Sequence, residues 1–133
     1  MFQQTIQDVL TLAEAGPRPE DLLERLRTTI GAFELFECGE IQAETPGGLL
    51  RFVIAPGLDE IGAGALDQLG EEPTLRIDTP TSLLVLRLVA PQTTRAAIVL
   101  GHPRAWSFAA APLSRIRTLG NLALRLLLRG SRV

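Results

Sequence analysis

The spacing of apolar residues along this chain switches twice, from helical to extended and back, and few fold classes accommodate that order. Phe2, Ile6, Val9, Leu10 and Ala13 fall on one helical face, with Gln3, Gln7, Asp8, Thr11 and Glu14 opposite. Gly16-Pro17 ends that helix, because proline lacks an N–H and its ring clashes with the preceding turn. A second helix is predicted with Pro19 near its first position and with Glu20 and Asp21 at the positive end of its dipole. Its stripe is Leu22, Leu23, Leu26 and Ile30, and Gly31 or the residues after it close it. The period then shortens. Phe33–Cys38 and Leu49–Ile54 read as strands joined through the turn signal Thr45-Pro46-Gly47-Gly48, which predicts an antiparallel hairpin. Residues 57–72 form an irregular helical connection, with Leu58, Ile61, Leu66 and Leu69 at helix-like intervals. Leu75–Ile77 is a short strand, Ser82–Val89 a nearly all-apolar one suited to burial on both faces, and Ala96–Gly101 follows the turn Pro91–Thr94.

The last helix runs from Ala109 or Pro112 to Arg129, with Leu113, Ile116, Leu119, Ala123, Leu126 and Leu127 along one face. Leu124 and Leu128 widen that face beyond what one sheet covers. A second helix, from this chain or from another copy, is expected over the excess. With 133 residues the chain fits a single domain, 1–133, divided into the N-terminal helix 1–16, a core 18–129 and a tail 130–133.

Composition excludes several function classes. All 13 basic residues are arginine, so a phosphate-binding P-loop and lysine-based Schiff-base chemistry are ruled out. The 46% hydrophobic content excludes a mostly disordered chain, and no apolar run of about 20 residues predicts a membrane span. The N-terminus lacks the basic start and apolar centre of a signal peptide. Together with the single cysteine, Cys38, this predicts a cytoplasmic location. Charge is divided: residues 1–80 hold all 15 acids and 5 arginines, while residues 81–133 hold 8 arginines and no acid. Mutual neutralisation of the two halves is the expected outcome. Nucleic-acid binding by the basic half is the weaker alternative, since only Trp106 and Phe108 there offer stacking surfaces.

Candidate chemistry is sparse. Cys38 and His102 are the minimum for a thiol nucleophile, but no local signature joins them, and a free cysteine ordinarily packs as a small hydrophobe. His102, before Pro103, reads as a solvated or capping histidine. No spacing suggests a metal site. Asp59-Glu60 and Glu71-Glu72 read as exposed pairs, Trp106 and Phe108 as packing at the root of the last helix. Gly57, Gly62, Gly64 and Gly70 lack the strand–turn–helix context of a dinucleotide fingerprint.

Several segments resemble the GAF domain. Arg95–Gly101 is similar to the strand before that family's last helix and leads through His102-Pro103-Arg104 into Trp106-Ser107-Phe108. Ile116–Leu124 is similar to the closing helix, where a leucine-rich start meets a small residue and asparagine. Leu49–Gly57, followed by Leu58, resembles the second strand and its turn. The resemblance implies an α+β fold: a central antiparallel sheet of about five to six strands with N- and C-terminal helices on one face. It implies a non-enzymatic signalling or regulatory domain that dimerises through its terminal helices and binds a partner protein or small effector. The alternatives are a scaffold or assembly subunit without ligand and, further off, a nucleic-acid binder. Leu84, Leu86 and Leu88 would face the helices. Leu83, Val85, Arg87 and Val89 would face a pocket, with Arg51 and Val53 on the neighbouring hairpin. Arg51, Val53, Leu83, Val85 and Arg87 are thus the candidate ligand-binding residues. Arg51 and Arg87 either grip an anion or each pair with a glutamate such as Glu34 or Glu37. Phe2, Ile6, Val9, Leu124 and Leu128 are the candidate dimer contacts. No cofactor or metal is expected: the family's cyclic-nucleotide signature needs a lysine, its methionine-sulfoxide reductases need several cysteines, and its bilin carriers set a cysteine beside a histidine.

Overall fold

A computed structural model describes residues 18–31, 36–78, 80–91 and 93–130. The elements are α1 (Pro19–Gly31), β1 (Cys38–Thr45), β2 (Gly48–Ala55), α2 (Asp59–Ala63), α3 (Ala65–Leu69), β3 (Thr74–Ile77), β4 (Ser82–Leu88), β5 (Arg95–His102) and α4 (Leu113–Gly130). Among the described residues the strands form one sheet in the order β2-β1-β5-β4-β3, and every neighbouring pair is antiparallel. The predicted N-terminal helix, with Phe2, Ile6 and Val9, lies outside the described residues.

The alternation of β4 and β5 assigns the two faces. Leu84, Leu86 and Leu88 of β4, with Ala96, Ile98 and Leu100 of β5, join α1 and α4 in one core. Leu83 and Val85, with Ala97 and Val99, join Leu58, Ala65, Leu66 and Leu69 in a second, smaller core beneath α2 and α3. The strands are therefore apolar on both faces because helices cover both.

Helix α4 is drawn close to β4 by Gly120, where an added Cβ would lie 2.9 Å from Leu88 Cδ2. Asn121 Oδ1 then accepts the Val89 N–H at 2.8 Å, satisfying the donor just past the end of β4. The small residue and asparagine that carried the resemblance are thus a close-approach point and a strand cap.

Two expectations are corrected. The first strand does not occupy 33–38: Phe36 and Glu37 precede it, residues 33–35 are outside the described set, and the strand runs over Cys38–Thr45, directly into the 45–48 turn. The hairpin itself forms as expected. Leu124 and Leu128 are not exposed for a second copy. They are 0% and 6% accessible and belong to the core shared with α1, which covers the wide face of α4 from within the chain.

Three arginines of the basic half bond to the acidic half, Arg95 to its carboxylates. Arg95 binds Glu44 at 2.7 Å and Asp67 at 2.8 Å, tying α3 to the sheet. Arg87 donates to the Gly70 and Glu72 carbonyls, and Arg117 donates to the Pro73 carbonyl and Thr74 Oγ1. Basic side chains of the second half hold backbone and acids of the first.

Candidate functional site

The face beneath α2 and α3 is the place the resemblance assigned to a ligand. Its centre is filled, because Leu58, Leu66 and Leu69 sit directly on Leu83, Val85 and Val99. Val85 is wholly buried core and touches no open space. Val53 is half exposed on edge strand β2. Arg51 lies in one cross-sheet row with Gln42, Ala97 and Arg87. That puts three strand spacings, about 14 Å, between the Cα positions of the two arginines. They do not converge on one anion. Arg51 instead forks onto Glu40, with Nη2 2.8 Å from Oε1, and donates to the Asp59 carbonyl at 3.0 Å. The expected glutamate partner exists, but it is Glu40 rather than Glu34 or Glu37. Of the five candidate ligand residues, Leu83 lines the open cavity at the end of this face and the other four do not.

That cavity holds about 260 Å³ and lies at the end of this same face, beyond the reach of α2 and α3. Its floor is the last cross-sheet row, Cys38–Gly101–Leu83 on β1, β5 and β4. The walls come from the Pro56-Gly57-Leu58 turn, from Thr81 and Ser82, from His102 and Pro103, and from Glu37 at the rim. Two glycines make the space. At Gly101 an added Cβ would lie 2.8 Å from Cys38 Sγ, so the thiol leans over a position that must stay bare. Gly57 has φ +129°, a conformation that favours glycine, and an added Cβ there would lie 3.1 Å from Cys38 Cβ.

The chemistry of the lining is that of a binding pocket. Partial burial, followed by the carboxylates of Glu37, Glu40 and Asp59, pushes the Cys38 thiol up from its ordinary 9.0. It stays protonated at neutral pH, which is the reverse of what an activated nucleophile needs. His102 is occupied elsewhere. Its Nδ1 accepts the Arg104 N–H at 3.0 Å and lies 2.9 Å from Ser107 Oγ, which leaves the neutral ring's proton on Nε2.

Ser82 takes part in the same turn, donating to the Arg104 carbonyl at 2.9 Å and accepting the Ser107 N–H at 2.8 Å. These bonds hold the 103–108 turn, in which Trp106 has φ +66° and 61% of its surface exposed. Phe108 is the buried residue of that pair, and Arg76 donates to its carbonyl at 2.8 Å. Cavity wall, turn and approach to α4 therefore share side chains. Among the described residues no cluster of three or more His, Cys, Asp or Glu side chains is placed to hold a metal ion. No helix of theirs is long and apolar enough to cross a membrane.

Sequence reasoning weighed Cys38 and His102 together only as a thiol nucleophile and its base, and missed Glu37, Thr81, Ser82, Gly57 and Gly101 as their neighbours in a cavity. The available signal was Gly101 inside an apolar strand, since glycine in a strand marks a close approach.

No protein-family profile and no curated protein matches this chain. Among solved structures, the GAF domain of a candidate sensor histidine kinase from Pseudomonas syringae pv. tomato is similar, with a TM-score of 0.64 and 16% sequence identity. The match covers 98% of this chain and 86% of that one. The fold is GAF-like.

Proposed function

We propose that this GAF-like chain is a regulatory domain that senses a small effector in the Cys38 cavity and carries out no covalent chemistry on it. The observation behind this reading is the cavity itself: open space of about 260 Å³ on a sheet whose central strands β4 and β5 are packed on both faces. An effector shifts a conformational equilibrium only through differential affinity for the two states. Ser82 and His102 supply a means, because both border the cavity and both bond the 103–108 turn that leads into α4. An effector that competes for either side chain changes the hold on that turn.

The chain offers two singular reporters, one cysteine and one tryptophan with no tyrosine. Native mass spectrometry of freshly purified protein is expected to show a retained small mass. Its removal should speed alkylation of Cys38 and alter Trp106 fluorescence. A mass equal to that of the bare chain, with alkylation unchanged after extraction and dialysis, would favour the ligand-free scaffold reading instead.

A further inference from the structure

The character of the cavity's lining narrows what it accepts, provided that the cavity is the effector site. We infer that its ligand is a small cation, an ammonium or amidinium group on an apolar body, rather than a carboxylate or phosphate. The cavity would hold about nine waters at roughly 30 Å³ each, so the ligand has on the order of ten non-hydrogen atoms.

Glu37, on the rim, is the one acidic residue in the lining, and no arginine is among the lining residues. The arginines described on this face are engaged away from it, Arg51 with Glu40, Arg87 with the 70–72 carbonyls, and Arg95 with Glu44 and Asp67. His102 is engaged with the 103–108 turn, its Nδ1 accepting the Arg104 N–H.

The carboxylates of Glu37, Glu40 and Asp59 all help raise the Cys38 thiol, Glu40 while paired with Arg51, so acids rather than bases act on the floor. An anion entering there would meet the Glu37 carboxylate with no arginine among the lining residues to offset it. A cation would find the Glu37 carboxylate while its body covers Leu58 and Leu83.

An isosteric series tests the charge directly: benzylamine, benzyl alcohol and benzoate, titrated at millimolar concentration and followed by the amide resonances of Gly57 and Gly101. Benzylamine should bind about fivefold more tightly than benzyl alcohol, the upper range for an exposed ion pair, and benzoate should be weakest. Glu37→Gln, at an exposed position, should erase the amine's advantage and leave the alcohol unchanged. Benzoate binding as tightly as benzylamine, or an amine preference that survives Glu37→Gln, would overturn the charge assignment and leave the cavity as an effector site. Absence of any shift at Gly57 and Gly101 with all three compounds would overturn both.

Discussion

Removing Arg51 should cost far more than removing the glutamate it binds, and the asymmetry follows from where each end of the pair sits. The Glu40 side chain is 4% exposed and that of Arg51 33%. In Arg51→Met the aliphatic stem is kept, but the carboxylate loses both guanidinium donors and retains Gln42 Nε2 at 2.9 Å. Breaking a buried pair from the side that leaves a charge behind costs about 3–5 kcal/mol. Water reaching the edge strand argues for the lower end of that range, and the lost bond to the Asp59 carbonyl adds about 1 kcal/mol. The expected total is roughly 3–4 kcal/mol, a fall in Tm of about 12 °C for a domain of this size. In Glu40→Leu the guanidinium turns toward solvent and keeps Asp59, so the cost should be about 1 kcal/mol. The double variant replaces a charged pair by an apolar one and should lie close to Glu40→Leu. Urea unfolding followed by far-ultraviolet circular dichroism measures all three. The reasoning fails if Arg51→Met is no less stable than Glu40→Leu, or if the double variant is as unstable as Arg51→Met. The same series bears on the discarded ligand role: an Arg51 that gripped an effector would lose binding on substitution while stability stayed put.

Leu124→Arg should unfold the chain rather than dissociate it, because the new charge would enter a fully buried site at a cost above about 4 kcal/mol. A folded monomer by sedimentation velocity would refute this. Alkylation of Cys38 should rise with pH along a curve whose midpoint lies above the ordinary 9.0, since burial and three carboxylates oppose the thiolate. A midpoint below that value would refute the assigned electrostatics. Glu44 is held below its ordinary 4.5 by its hydrogen bond from Arg95, so the folded state takes up its proton less readily than the unfolded chain. Its contribution is present above 4.5 and is lost as pH falls through the depressed value. Glu44→Gln should therefore be less stable than the parent at neutral pH, with the difference closing in acid.

Much of the fold was legible because its strongest elements obey one rule each. Ser82–Val89 and Ala96–Gly101 are apolar on both faces, and helices cover both faces of β4 and β5. Leu22, Leu26 and Ile30 repeat at helical spacing and are the residues α1 buries. The first strand was misplaced because Cys38–Thr45 breaks the rule that polar residues face water. Glu40 and Gln42 are buried and project toward α2, where Arg51 binds Glu40 and the Gly62 carbonyl accepts from Gln42 Nε2, leaving Gln42 Oε1 without a partner. A strand whose inward residues are glutamate and glutamine has low strand propensity and no apolar alternation on that side. The richer apolar run at 33–38 outweighed it.

That error also hid the cavity. With a strand ending at Cys38, the thiol would sit at an outer terminus. With a strand beginning there, Cys38 stands opposite Gly101, which pairs on its other side with Leu83, and the three become one floor. Register is a property of pairing between distant segments, and no local pattern in β1 states it. The wide apolar face of α4 shows the complementary failure. Its width demanded a covering helix, but residue spacing cannot say whose. α1 supplies that cover from within the chain, so any association of copies must use surfaces other than Leu124 and Leu128. A signal passing from the cavity to α4 would then travel through the 103–108 turn, where Ser82 and His102 already meet the chain that enters the helix.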